Sequence, residues 1–167
     1  MKSTLVTGRA GYIGSHTCVK LLNSGYDVIV VDNFCNSSYN ALKRVEQIAE
    51  KKIKFYEIDI RAEAALNEVF SNNQIEAVIH FAGLKAVGEL VSIPLDYYDN
   101  NIGSTITLCK TMTRYKCKNI IFGSSATVYG EDNVTPLSEN LPKGICTNPY
   151  GWIIEQILTD LHTSDNS

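Results

Sequence analysis

The chain has 167 residues, of which 44% are hydrophobic, enough for a single well-buried α/β domain over residues 1–167 and little more. Its formal charge of -3 and pI near 5.6, with Lys and Arg scattered along the chain, exclude the electrostatic footprint of a nucleic-acid binder. Met1 to Thr7 lacks the apolar core of a signal peptide and no later run approaches the ~20 residues of a membrane span, so a cytoplasmic protein with no membrane partner is expected.

In chain order, Thr4-Leu5-Val6 reads as a short buried strand, and Ile13 to Leu22 has the apolar spacing of a helix. Val28-Ile29-Val30-Val31 is a second strand, Tyr39 to Glu50 a helix, Ile53 to Ile58 a third strand and Ala64 to Phe70 another helix. Ala77-Val78-Ile79 gives a fourth strand, Pro94 to Tyr115 a long helix opened by its proline, and Ile120-Ile121-Phe122 a fifth strand. From about Gly130 to Pro149 the chain is turn-rich, with Pro136, Pro142 and Pro149, and is expected to loop over the C-terminal edge of the sheet. Ile153, Ile154, Ile157, Leu158 and Leu161 then form the apolar stripe of a last helix. The repeated βα pattern predicts an α/β fold with a doubly wound parallel sheet of Rossmann type. Cys18, Cys35, Cys109, Cys117 and Cys146 are odd in number, widely spaced and without His at zinc-ligand distance, so they read as reduced core thiols, with no metal site.

Between the first strand and the first helix lies Gly8-Arg9-Ala10-Gly11-Tyr12-Ile13-Gly14. In this position Gly8 and Gly11 allow a tight turn and close approach to a pyrophosphate, Gly14 allows close helix–strand packing, and the helix N-terminus supplies N–H donors. Eighteen positions past Gly14, Asp32 ends the second strand. A carboxylate there accepts hydrogen bonds from adenosine ribose hydroxyls and repels a 2'-phosphate, which selects NAD over NADP.

Thr7-Gly8, with Gly11-Tyr12-Ile13-Gly14-Ser15-His16-Thr17, resembles the opening of the UDP-glucose 4-epimerases of the extended short-chain dehydrogenase/reductase superfamily. Asp32-Asn33-Phe34-Cys35-Asn36-Ser37, His80-Phe81-Ala82-Gly83-Leu84-Lys85-Ala86-Val87-Gly88-Glu89 and Ser124-Ser125-Ala126-Thr127-Val128-Tyr129-Gly130 agree with the same family, so the resemblance spans the chain. It implies that Tyr12, Ile13 and Asp32 through Ser37 line the adenosine and pyrophosphate of NAD and that Asp59 and Ile60 flank the adenine. It also implies that Phe81, Ala82, Gly83, Leu84, Lys85 and Asn100 approach the nicotinamide half. Taken residue by residue without the family, Ile60 and Phe81 also read as core, Asp59 as a helix cap and Lys85 as a solvated side chain.

The resemblance further implies a catalytic pair. Ser125 would hydrogen-bond the reacting sugar oxygen and Tyr150, as a phenolate, would remove the C4 hydroxyl proton of a UDP-sugar. NAD would take the C4 hydride, and the 4-keto sugar would turn over and receive it back on the opposite face, interconverting UDP-glucose and UDP-galactose. Ala126-Thr127 stand where the related dehydratases carry an acid pair, which favours the epimerase. The family also implies pairing into a homodimer through the helices at Pro94 to Tyr115 and Pro149 to His162.

The chain departs from the family pattern in four places. The family's lysine, one helical turn after the tyrosine, lowers the phenol pKa; here that position is Ile154, and three residues that include the lysine are missing after Gly151. Such a loss shifts the helix start by about 4.5 Å along its axis and about 60° around it, so either Tyr150 leaves its place or the helix start is rebuilt. The chain ends at Ser167, where family members continue into a C-terminal domain that binds the UDP-sugar, so it reads as an N-terminal half. Arg9 replaces a usual glycine, leaving open a phosphate ion pair or an obstructed loop, and Leu90 replaces a small serine. The expectations are therefore an epimerase with severely impaired turnover, an NAD-binding module without chemistry, or an interaction fragment.

Overall fold

In a computed structural model, which describes residues 3–8, 11–35, 39–84, 93–130, 133, 135–146 and 149–164, the five apolar runs form five strands. They are β1 (Ser3–Thr7), β2 (Asp27–Asp32), β3 (Lys54–Glu57), β4 (Ile75–His80) and β5 (Asn119–Phe122). All are parallel, in the order β3-β2-β1-β4-β5. The helices are α1 (Tyr12–Asn23), α2 (Tyr39–Ala49), α3 (Glu63–Ser71), α4 (Pro94–Tyr98), α5 (Ser104–Arg114) and α6 (Pro149–Ser164). By contacts the chain divides into two units, Met1–Ala82 with Ile106–Gly123, and Gly83–Thr105 with Ser124–Ser167.

The first unit is the doubly wound sheet. Side chains alternate faces along a strand, so Leu5, Ile29, Val31 and Val78 join Leu66, Val69 and Phe70 of α3 and Leu108 and Met112 of α5 in one buried cluster. Their neighbours Val6, Val28, Val30 and Ile79 join Cys18 and Leu22 of α1 and Leu42, Val45 and Ala49 of α2 in the other. Apolar side chains on both faces explain why the strands read as continuous apolar runs. Leu66 is fully buried, and Leu66→Ala is expected to cost about 2–5 kcal/mol. Urea unfolding checks this: the midpoint should fall with the m-value unchanged, while Leu66→Met should cost less than about 1.5 kcal/mol.

The second unit holds α4, a π-helical turn at Asp99–Gly103, a 3-10 helix at Ala126–Tyr129 and α6. The long helix predicted from Pro94 is thus three segments, because one turn widens at the Asn100-Asn101 pair, where a buried side chain is drawn out of the amphipathic pattern to bind backbone elsewhere. Helix α6 packs on the 3-10 helix, α4 and the π turn, burying Ile153, Ile154 and Ile157 of its predicted stripe and Tyr150 besides, while Leu158 and Leu161 are half-buried. The turn-rich stretch folds back on the 3-10 helix: Gly144 N–H donates to the Val128 carbonyl at 3.1 Å, and Asn133 Nδ2 donates to the Tyr129 carbonyl at 2.7 Å.

The cysteines are all free, but they are not all core thiols. Cys18, Cys117 and Cys146 are buried, Cys109 is half-buried, and Cys35 is exposed because it sits on the loop after β2 instead of within an element. Among the described residues no helix is long and apolar enough to cross a membrane and no group of three or more metal-ligating side chains gathers.

Candidate functional site

At the C-terminal edge of the sheet, the end of β1 is tied to both β4 and β2. Phe81 N–H donates to the Thr7 carbonyl at 3.0 Å, Gly8 N–H donates to the Val31 carbonyl at 3.1 Å, and the buried Thr7 Oγ1 and His80 Nδ1 share a 2.6 Å hydrogen bond. Gly8 has φ +66°, and a Cβ there would lie 2.2 Å from Ala82 Cα, so only glycine lets the chain leave β1 at this point. Gly11 is the N-cap of α1 and has open space where a Cβ would stand; among the described residues no side chain caps the helix, so its first-turn N–H groups remain available to a ligand. Gly14 is buried in α1, while Tyr12 and Ile13 are 80% and 61% exposed, an unusual state for two large apolar side chains at one helix start. An open cradle, uncapped donors and uncovered apolar faces fit a dinucleotide pyrophosphate.

On the next strand, Asp32 is buried at the end of β2, and its Oδ1 accepts the Phe34 N–H at 2.8 Å. Asn33 Oδ1 accepts the Cys35 N–H at 3.2 Å, and Phe34, at φ 55°, stacks its ring 5.0 Å from that of Phe55. These two turns shape the loop that the resemblance assigns to adenosine. Beyond β3, Asp59 receives Arg61. The guanidinium's hydrogen bonds hold the Asp59 carboxyl below the usual carboxylate range against the opposing effect of partial burial, with the Arg61 N–H, its charge and the Asn33 amide adding to the first effect. Ile60 is core, at 5% exposure, so its side chain is not available to a ligand. Phe81 packs partly into the core, against Gly123, where a Cβ would meet its ring at 2.6 Å. Arg9, Asn36, Ser37, Lys85 and Leu90 lie outside the described residues.

In the second unit, Asn101 grips the backbone after Gly83. Its Oδ1 accepts the Leu84 N–H at 2.8 Å, its Nδ2 donates to the Leu84 carbonyl at 3.0 Å, and Asn100 Nδ2 donates to the same Oδ1 at 2.9 Å. Sequence reasoning singled out Asn100 and missed Asn101, which is 3% exposed. The signal was a second amide directly after Asn100.

The two side chains expected to be catalytic are brought together within this unit. Ser125 precedes the 3-10 helix and its Oγ accepts from Thr127 N at 3.3 Å and from Thr127 Oγ1 at 3.1 Å. Tyr150, in the first turn of α6, is 5% exposed and hydrogen-bonded to Ser125. Burial pushes its phenol above the ordinary value, the Ser125 bond pulls it down and the neighbouring Tyr97 adds to the rise. Tyr150 thus meets Ser125 from the first turn of a helix that begins at Pro149. One turn on, Ile154 is buried at 4% exposure and brings no charge. Gly151 lets Cys146 approach, with Sγ 3.1 Å from where its Cβ would be, and the Cys146 thiol donates to Glu155 Oε2 at 3.6 Å.

With this geometry in place, comparison with known proteins is informative. Residues 4–166 match the model of the NAD dependent epimerase/dehydratase family. The chain belongs to that family. The UDP-glucose 4-epimerase of Bacillus subtilis is 59% identical over 165 residues, covering 97% of this chain and 48% of the relative. The bifunctional protein gal10 of Schizosaccharomyces pombe is 54% identical over 170 residues, covering 98% of this chain and 24% of gal10. Among solved structures, the UDP-glucose 4-epimerase from Bifidobacterium longum in complex with NAD+ and UDP superimposes with a TM-score of 0.91 at 55% identity, covering 98% of this chain and 50% of the other. The chain thus spans about half the length of the UDP-glucose 4-epimerases it matches, or less. Within the NAD dependent epimerase/dehydratase family the parallel Rossmann-like sheet is the shared frame.

Proposed function

We propose that this chain holds NAD, its adenosine ribose on Asp32 and its pyrophosphate on the uncapped start of α1, as the cofactor-binding part of an enzyme that interconverts UDP-glucose and UDP-galactose. The observation that carries the reading is the juxtaposition on paired strands of Gly8, open Gly11 and buried Asp32. The kinship with UDP-glucose 4-epimerases, one of them solved with NAD+ and UDP, supports the choice of cofactor and substrate. When bound, NAD supplies a reversible hydride acceptor for the sugar C4. Tyr150 takes the proton from the C4 hydroxyl, and Ser125 positions the sugar oxygen through the hydroxyl that already meets the phenol. Within the second unit, Asn101 holds Leu84 and Asn100, which the resemblance assigns with Gly83 to the nicotinamide half.

The same reading makes turnover severely impaired, since a buried isoleucine stands one turn after Tyr150 and the phenol is raised by burial. Those two facts also favour a second reading, a module that holds NAD without turning over sugar. Self-association belongs to the first reading and is supported by the exposed Leu95, Tyr98 and Trp152 on α4 and α6.

The deciding experiment measures NAD and NADP binding to the purified chain and its Asp32→Ala variant. The expected result is a preference for NAD and a loss of roughly tenfold or more in affinity on removing the carboxylate, the scale of a charged hydrogen bond. Equal binding of both dinucleotides, or an unchanged affinity in the variant, would overturn the reading. Released 4-keto sugar or epimerised product separates enzyme from module.

A further inference from the structure

Leu84 has both of its backbone polar groups taken by one side chain 17 positions later in the chain. Asn101 Oδ1 accepts the Leu84 N–H at 2.8 Å, and Asn101 Nδ2 donates to the Leu84 carbonyl at 3.0 Å. Asn100 Nδ2 donates to the same Oδ1 at 2.9 Å. Because Oδ1 meets two donors and Nδ2 an acceptor, only one orientation of the amide satisfies the site. The main chain of Asn101 is held as well: its carbonyl accepts Thr105 Oγ1 at 2.7 Å and Ser104 Oγ at 3.2 Å, both from buried residues. Asn101 is buried, so solvent does not replace a lost partner at low cost.

The segment held in this way has an unusual backbone. Gly83 lies at φ +158°, a conformation that L side chains rarely adopt, and a Cβ there would stand 3.2 Å from Asn101 Oδ1. The helix gives up regular bonding over Asp99–Gly103 to bring Asn101 inward, and π turns of this kind gather at functional sites. Since the Leu84 N–H and carbonyl both engage Asn101, the clamp acts on the direction of the peptides flanking Leu84 and not through direct contact of its own amide with a ligand.

We propose that Asn101 is a positioning residue for the nicotinamide half of the dinucleotide, holding the Gly83–Leu84 backbone in its binding geometry before the cofactor arrives. The proposal rests on the reading that the chain binds NAD with Gly83 and Leu84 on the nicotinamide side. A side chain that orders a backbone segment in advance removes that ordering cost from binding. Its loss therefore weakens a ligand that uses the segment and spares one that does not.

The test compares dissociation constants for NAD and for ADP, which keeps the adenosine and the pyrophosphate but lacks the nicotinamide riboside. The proteins are the unmodified chain, Asn101→Ala and Asn101→Asp, with far-UV circular dichroism checking that each is folded. Asn101→Asp keeps an acceptor for Leu84 N–H but sets a second oxygen against the Leu84 carbonyl. Both variants should lose about tenfold in NAD affinity, the scale of one hydrogen bond lost from a buried pair, and less than about twofold for ADP. A purely structural Asn101 would weaken both ligands equally, which overturns the proposal, as does unchanged NAD affinity in a folded variant. A second readout needs no variant. In the cofactor-free chain the Leu84 N–H should exchange with solvent at least about tenfold more slowly than in unstructured peptide. Free exchange before NAD, with protection only after it, overturns the proposal, because the cofactor would then be ordering the segment itself. If the unmodified chain binds NAD no more tightly than ADP, the Asn101 role fails while the adenosine-side reading stands; if it binds neither, both fail.

Discussion

At neutral pH fewer than about one chain in a thousand is expected to carry Tyr150 as phenolate, and turnover through it is expected to climb about tenfold per pH unit from pH 7 to 9. Burial lifts the phenol above its ordinary value of about 10, and the Ser125 hydrogen bond opposes that rise while Tyr97 adds to it. A lysine one turn on would supply the missing cation, but Ile154 fills that place as a buried aliphatic side chain. Rates measured with NAD-loaded chain against Tyr150→Phe give the slope. Where turnover is too slow to follow, the tyrosinate difference spectrum between the same two proteins gives the titration directly. A plateau beginning near pH 7 would show that some other cation reaches the phenol. Stability carries the same sign. The folded state keeps the Tyr150 proton longer than the unfolded chain, so stability is full below the ordinary phenol value and is lost as pH rises through it toward the folded value. Tyr150→Phe should lack that alkaline loss.

Gly8→Ala is expected to destabilise the chain by about 3 kcal/mol and to abolish NAD binding, whereas Gly11→Ala should leave stability nearly intact and weaken binding alone. At Gly8 the strain has two sources: φ is +66°, and the new methyl would sit 2.2 Å from Ala82 Cα and 2.3 Å from its nitrogen, backbone atoms fixed by the β1–β4 tie. At Gly11, φ is -83° and nothing lies within 4 Å of a Cβ, so the fold tolerates alanine; the methyl would instead stand where a pyrophosphate must come close. Thermal unfolding and NAD titration on both variants separate the two effects. Equal stability loss at both positions would mean that the loop is held by something other than backbone crowding.

Much of the sheet was legible because its strands are buried on both faces. Val28 to Val31 carries no polar residue to blur the pattern, and its ends fall within a residue of those observed. The glycine loop was legible for a different reason: its steric demands leave few substitutes. Asn101 was not, since a polar residue in an amphipathic helix ordinarily faces water, and only the widened turn at Asp99–Gly103 brings it inward to Leu84. Arg61 was missed because a charged residue on a loop carries no periodic signal. The meeting of Ser125 and Tyr150 joins segments 25 positions apart in sequence, and only the family resemblance, not spacing, paired them. That resemblance also exposed Ile154, which in itself is an unremarkable member of an apolar stripe.

The division of the chain into Met1–Ala82 with Ile106–Gly123, and Gly83–Thr105 with Ser124–Ser167, bears on how the protein is made. Because each unit is assembled from separate stretches, neither is complete on the ribosome when its first stretch has emerged. The first unit waits for β5 and for Leu108 and Met112, without which Leu66, Phe70 and Val78 lack part of their apolar cover. A nascent chain ending near Ala82 would therefore present a four-stranded sheet with one face only partly covered and an open edge at β4, a form prone to capture by chaperones or to aggregation. For the same reason no single cut releases either unit whole, and shortening the protein by one truncation would sacrifice part of both.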